Sequence, residues 1–337
     1  MKKTLQEILF QPTAWQKTIY SFEKQKSGIM KFMQGYKDAE VIFTGCGTSY
    51  YLSLIAADLY TRLEQGKARG VPASEVNLFP DTIFSHGQKY LLIPVSRSGK
   101  TSETLEAIDY FKKQSSDGSL LITCTAESEM SGICDKIFFC PEAAEETKYM
   151  TKSFTSMLLA SQLIIAQLAG NKSCQEELIK LPQQGERIIK LFQPYCEKLA
   201  SENDFDRYFY LGHGAQYGIA AESMLKLTEM VGTPAVVYHG MELMHGPKYA
   251  VDNKSLIIYF LSESAEKQEI DLLQKIRKLP GKILLICEES GPGITDLADF
   301  VITLQSGLSG DSRLILTMLI SQLYAYYRAL AMGMEID

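Results

Sequence analysis

Short runs of β-branched and aromatic residues alternate along the chain with longer stretches in which apolar positions recur every three to four residues. The pattern predicts strands at residues 41–44, 90–95, 119–123, 136–140, 208–211, 255–261, 282–287 and 300–304, with helices between them. Strands separated by helices form parallel sheets, because a parallel neighbour can be reached only by a crossover. The first 38 residues are helical in pattern, with Pro12 ahead of TAWQKTIYSFEKQK, and are expected to pack against the first half of the chain.

The eight predicted strands fall into two sets of four, and the sets overlay. VIFTGCGTSYYLSLIAADLY matches YFYLGHGAQYGIAAESMLKL, with Gly45 over Gly212, Gly47 over Gly214 and Tyr50 over Tyr217, an offset of 167. KYLLIPVSRSG then falls over KSLIIYFLSESA, and SLLITCTAES over KILLICEES. Three ordered matches at nearly constant spacing imply an α/β protein of two tandem doubly wound parallel-sheet domains related by internal duplication. The expected division is an N-terminal helical segment (1–38), a first domain (39–170), a helical connector (171–205) broken at Pro182 and Pro194, a second domain (206–332) and a short tail (333–337).

The longest apolar stretches, 157–169 and 314–331, are interrupted by Ser161, Gln162, Gln167, Ser321, Gln322 and Arg328 and read as buried core helices rather than membrane spans. The opening MKKTLQEILFQP has no uninterrupted apolar core and does not read as a signal peptide. Apolar residues make up 46% and charged residues 22%, which excludes collagen-like and disordered classes. Forty acidic against 34 basic residues give a net charge of −6 with no cationic stripe, so nucleic acid is not an expected partner. Seven scattered cysteines without a CxxC pair indicate a reducing, cytoplasmic setting. No His/Cys/Asp set has metal-ligand spacing, and no metal or organic cofactor is expected.

Ser96-Arg97-Ser98-Gly99-Lys100-Thr101-Ser102 directly follows a predicted strand and precedes a predicted helix. That is the context in which an anion sits on free backbone N–H groups at a helix N-terminus, and here hydroxyls, a glycine and two cations surround it. A plain helix cap also uses Ser and Thr. The repeat favours the anion, since the second copy reads Ser262-Glu263-Ser264-Ala265 and has exchanged the glycine and gained a carboxylate. Gly47, Thr48 and Ser49 follow the first strand, where a doubly wound sheet opens its ligand crevice, and face a polyol or phosphate or merely form a tight turn. Cys46 lacks the neighbours of a nucleophile. In the second copy Glu222, Lys226 and Glu229 share one helix face, followed by the segment Glu242–Lys248 with His245. Such charges are commonly a solvated face. Carboxylate, ammonium and imidazole beside a phosphate cradle are equally the groups that proton transfer on a sugar phosphate uses.

Taken together, LQEILFQPTAW, GCGTSY, SRSGKTSET, MTKSFTSMLLA, AAESMLKLTE and ELMHGPKYAVD resemble the sugar isomerase (SIS) domain family in its double-SIS form. The resemblance covers nearly the whole chain and implies a flavodoxin-like fold for each half. It implies that Ser96, Arg97, Ser98 and Thr101 bind a 6-phosphate, with Thr48 and Ser49 lining the site and Gly47, Lys148 and Thr151 around the sugar. Glu229 becomes the base that moves a proton between C1 and C2, supported by Glu222 and Lys226. His245 assists ring opening from a neighbouring copy, which implies a homodimer with a shared site. Against the aminotransferase members, the chain begins without their glutaminase cysteine, carries Lys148 and Met150 where small residues stand, and stops at Asp337 without their lysine-bearing tail. The expectation is therefore a hexosamine 6-phosphate deaminase/isomerase. The alternatives are a fructosamine 6-phosphate deglycase and a non-catalytic sugar-phosphate sensor.

Overall fold

The computed structural model describes residues 2–115, 117–291 and 293–337; Met1, Ser116 and Pro292, inside the predicted segments, lie outside the described residues. The first part of the chain contains α1 (Lys3–Leu9), α2 (Gln11–Gln34), β1 (Glu40–Gly45), α3 (Thr48–Leu59), β2 (Ala68–Pro72), α4 (Ala73–Leu78), β3 (Tyr90–Ser96) and α5 (Ser102–Gln114). Next come β4 (Gly118–Thr123), α6 (Glu129–Ile133), β5 (Lys136–Phe139), α7 (Lys152–Leu168) and α8 (Lys172–Glu202). The remainder holds β6 (Arg207–Gly212), α9 (Ala215–Val231), β7 (Ala235–His239), β8 (Ser255–Phe260), α10 (Glu266–Ile276), β9 (Lys282–Cys287), β10 (Phe300–Thr303) and α11 (Leu314–Ala331).

Both sheets are parallel, with orders β2-β1-β3-β4-β5 and β10-β9-β8-β6-β7. Counted within each half, both orders read 2-1-3-4-5, the flavodoxin-like doubly wound order whose crevice opens after the first and third strands. The duplication is thus present in the topology as well as in the sequence. Each sheet has five strands rather than the four read from the pattern. The two that escaped, β2 and β7, are edge strands carrying the same position in each half. An edge strand has one hydrogen-bonded neighbour and can form without the continuous apolar run of a central strand, although the opposite edges, β5 and β10, keep one. β2 reads ARGVP and β7 follows Thr233-Pro234. Gly70 in β2 is needed for approach, since a Cβ there would lie 2.7 Å from the backbone of Ser53 and Leu54 in α3.

The central strands β3, β4 and β8 are buried throughout, as are nearly all residues of α7 and α11. Among the described residues one helix, Leu314–Ala331, reaches the length and hydropathy of a membrane span, and 89% of that window is buried inside the protein. Among the described residues no disulfide joins any of the seven cysteines. Pro182 and Pro194 do not break the helical stretch: α8 runs through both. A mid-helix proline costs about 3 kcal/mol, and the buried stripe of Leu178, Leu181, Ile188, Cys196 and Leu199 offsets it.

The chain divides into two compact units, Phe10–Pro182 and the segment before Phe10 together with Gln183–Asp337. The N-terminal segment accordingly splits. α2 packs on α7, where buried Trp15 donates from Nε1 to Thr155 Oγ1 (2.8 Å) and Thr155 donates to Gln11 Oε1 (2.7 Å). α1, expected to pack with the first half, instead packs on α11, and Thr4 donates its hydroxyl to Asp337 Oδ1 (2.5 Å).

Candidate functional site

In the first unit the end of β3 turns through Arg97–Thr101 into α5. Buried Ser96 accepts from the Gly99 N–H (3.1 Å) and Ser98 from the Lys100 N–H (3.3 Å), so two hydroxyls shape the loop from inside. Thr101 stands at the N-cap of α5 with no side-chain bond across the helix end. The carboxylate of Glu103 accepts from its own backbone N–H and from the Ser102 hydroxyl, which hold it below the usual range. A helix N-terminus favours negative charge in this way. Gly99 has φ +65°, and a Cβ there would fall 2.1 Å from Ser128 Oγ at the start of α6. The glycine therefore serves the packing of α6 onto the loop, where Met130 N–H donates to the Gly99 carbonyl (3.2 Å).

The turn after β1 holds Gly47 at φ +53°, with Thr48 and Ser49 buried in the first turn of α3. Ser49 lies against Gly45, where a Cβ would be 2.6 Å from its own. Cys46 meets Thr104 of α5 (3.6 Å), which ties this turn to the loop after β3, and burial pushes its thiol up. That is the reverse of a reactive cysteine.

Arg97 takes a direction the sequence did not show. Its Nη1 lies 3.5 Å from Glu145 Oε2 and 3.4 Å from the carbonyls of Thr147 and Lys148. The side chain of Glu145 is wholly buried and accepts from the N–H groups of Thr151 (2.6 Å) and Ser153 (2.8 Å). Burial pushes its carboxyl up against the opposing pull of those donors and of Arg97. Thr151 is buried at the N-cap of α7, whereas Lys148 is exposed with its ammonium 5.0 Å above the Tyr149 ring. Glu145 escaped the sequence reading because AAEETK looks like a solvated acidic run.

In the second unit α9 carries Glu222 and Lys226 fully buried, so the solvated-face reading fails for them. Lys226 Nζ donates to Glu229 Oε2 at short range and lies 3.5 Å from Glu222 Oε1. Burial alone would lower the ammonium, but the two carboxylates outweigh it and hold it above its usual range. Glu229 is the outermost of the three, with 36% of its side chain exposed. The turn before α9 repeats its counterpart, Gly214 having φ +52°. His213 stands where the first copy has Cys46, and burial followed by His239 pushes its imidazole below the usual range. His239 stacks on Tyr217 with centroids 3.8 Å apart, a pairing not read from the sequence. His245 is exposed on the irregular segment after β7.

The counterpart of the Ser96 loop is altered in kind. Ser262 N–H donates to Glu269 of α10 (2.9 Å), a buried carboxyl pushed up to about 7 by its burial. Beside it a cavity of about 310 Å³ is lined by Glu263, Glu266, Glu288 and Glu289, with buried Arg313 paired to Glu263 (3.0 Å) and Glu288 (3.5 Å). Four carboxylates against one arginine repel a phosphate. Among the described residues no three His, Cys, Asp or Glu side chains gather as metal ligands.

Two parallel sheets of this order, one with a hydroxyl-lined helix N-terminus and the other with a buried ammonium between carboxylates, define a duplicated α/β protein. The chain belongs to the SIS domain family, whose model matches residues 36–167 and 203–332. It is 27% identical to the glutamine–fructose-6-phosphate aminotransferase [isomerizing] of Chlamydia abortus over 99% of this chain and 56% of that one. The chain thus spans about half the length of the curated relatives it matches. The glucosamine-6-phosphate deaminase of Thermotoga maritima superposes with TM-score 0.83 at 27% identity, covering 100% of this chain and 97% of that one. In fold, the tagatose-6-phosphate ketose/aldose isomerase of Escherichia coli agrees with TM-score 0.90 at 23% identity, over 98% and 93% of the two chains.

Proposed function

We propose that this protein is a phosphosugar isomerase that acts as a deaminase on a hexosamine 6-phosphate. The observation that carries the reading is the asymmetry of the duplication: one copy keeps a phosphate-type loop at Ser96–Ser102, and the other surrounds Lys226 with Glu222 and Glu229. The names of the relatives supply the substrate class.

Phosphate held by Ser96, Ser98, Thr101 and the N-terminus of α5 gives binding energy remote from the reacting carbons. Arg97 ties that loop to the segment 147–151, and Thr48, Ser49, Gly47, Lys148 and Thr151 surround the sugar. Glu229 takes the proton from C2 of the open-chain amino-aldose, giving an enolamine. Return of a proton to C1 leaves an imine at C2, and water hydrolyses it to the ketose with release of ammonia. Lys226 orients Glu229, with Glu222 behind it. His245 assists ring opening from a neighbouring copy in a homodimer. Support for that comes from the exposed apolar side chains Val236 on β7 and Met241 and Tyr249 on the irregular segment that carries His245.

The test is an assay of purified protein on glucosamine 6-phosphate and galactosamine 6-phosphate, following ketose and ammonia together. Loss of a positioned base lowers turnover by about 10²–10⁴-fold, so Glu229→Gln is expected to fall in that range with its melting temperature unchanged. Full activity in that variant overturns the mechanism. Binding without turnover across phosphorylated hexoses, hexosamines and fructosamines favours a sensor.

A further inference from the structure

We propose that Glu145 is a positioning residue that joins the loop after β3 to the segment 147–151, so that the phosphate contacts and the sugar contacts are set as one piece. The proposal rests on the reading of that loop as a phosphate cradle.

The carboxylate divides its two oxygens. Oε1 accepts from the N–H groups of Thr151 (2.6 Å) and Ser153 (2.8 Å) and from the Thr151 hydroxyl (3.4 Å), and so closes the N-terminus of α7. Oε2 faces Arg97 Nη1 at 3.5 Å. The first N–H groups of α7 are thus met by a carboxylate from six residues before its N-cap. A hydroxyl at the cap would satisfy α7 equally well. What it would not do is hold a guanidinium 48 residues earlier in the chain.

Arg97 is fixed from both ends. Its carbonyl accepts from the hydroxyls of Thr125 (3.0 Å) and Thr123 (3.4 Å), and its guanidinium reaches Glu145 and the carbonyls of Thr147 and Lys148. It stands between Ser96 and Ser98, whose hydroxyls shape the loop. The arginine is therefore a strut, its charge met by Glu145. A ligand touching only the loop has no use for the strut. A ligand touching both the loop and residues 148–151 gains from their being held in register.

The test uses the full chain with Glu145→Gln, Arg97→Gln and the double variant. Hydrogen exchange is measured at residues 147–153, and inorganic phosphate and fructose 6-phosphate are titrated as probes. The glutamine at 145 keeps an acceptor for the α7 N–H groups and removes the charge that holds Arg97. Positions that couple two sites shift affinity by about 2–30-fold, so both single variants are expected to speed exchange at 147–153 and weaken fructose 6-phosphate by about tenfold. The double variant should do no more than either single, and inorganic phosphate should stay within about twofold. Unchanged exchange at 147–153 in Arg97→Gln overturns the proposal, as does a parallel loss of both ligands. Should Glu145→Gln fail to fold, Arg97→Gln carries the comparison alone. If the wild type binds neither ligand, the cradle reading falls, and the exchange response to Arg97→Gln still decides whether the strut exists.

Discussion

The two copies of the fold keep the same backbone and use it differently. The turns after β1 and β6 are nearly alike in conformation, with Gly47 at φ +53° and Gly214 at φ +52°. Between the glycines stands a thiol raised by burial in one and an imidazole lowered by burial in the other, and Thr48-Ser49 gives way to Ala215-Gln216. The loops after β3 and β8 diverge further. One is held open by serine hydroxyls around a glycine in the left-handed region, and the other is filled by the carboxyl of Glu269. The helices diverge most: α3 has no charged residue before Asp58, while α9 buries an ammonium between carboxylates. Duplication supplies two scaffolds of one topology, and the side chains on them form different charge arrangements.

The largest effect is expected from Lys226→Met, which removes the buried cation that lies between Glu222 and Glu229. Breaking a buried ion pair by removing one partner costs about 3–5 kcal/mol, expected as a drop in stability in urea unfolding. A smaller value would mean that Glu222 is not held by Lys226. The filled loop has a signature in pH. The carboxyl of Glu269 titrates near 7 in the folded protein against an ordinary value of 4.5, so the folded protein keeps a proton that the unfolded chain has lost. Stability should therefore fall as pH rises from about 4.5 to about 7, by at most about 3 kcal/mol. Glu269→Gln should flatten that slope and leave the protein more stable at pH 8, and an unchanged slope refutes the assignment.

The open loop is more sensitive to shape. Gly99→Ala places a methyl 2.1 Å from Ser128 Oγ at a positive φ. Strain of that kind costs about 1–3 kcal/mol, and the thermal shift induced by inorganic phosphate should disappear. Ser264→Ala, at an exposed position of the loop after β8, is expected within about 0.5 kcal/mol of wild type. Equal losses from the two substitutions would mean that the loops are alike after all.

The duplication was legible in the chain because it is written in local pattern. The repeat, the central strands, the Ser96–Ser102 loop and the Glu222-Lys226-Glu229 spacing are each set by residues within a few turns of one another. Local pattern alone thus determined that this is a duplicated, doubly wound α/β protein. Tertiary structure alone decided the rest. β2 and β7 are strands because β1 and β6 offer them a free edge, not because of their own five residues. α8 continues through Pro182 and Pro194 because its apolar stripe is buried. Arg97 turns to Glu145 because a buried carboxylate requires a cation, and the partner lies 48 residues away. Local pattern records which surfaces must be buried, whereas only the folded chain determines which distant charge each buried group meets.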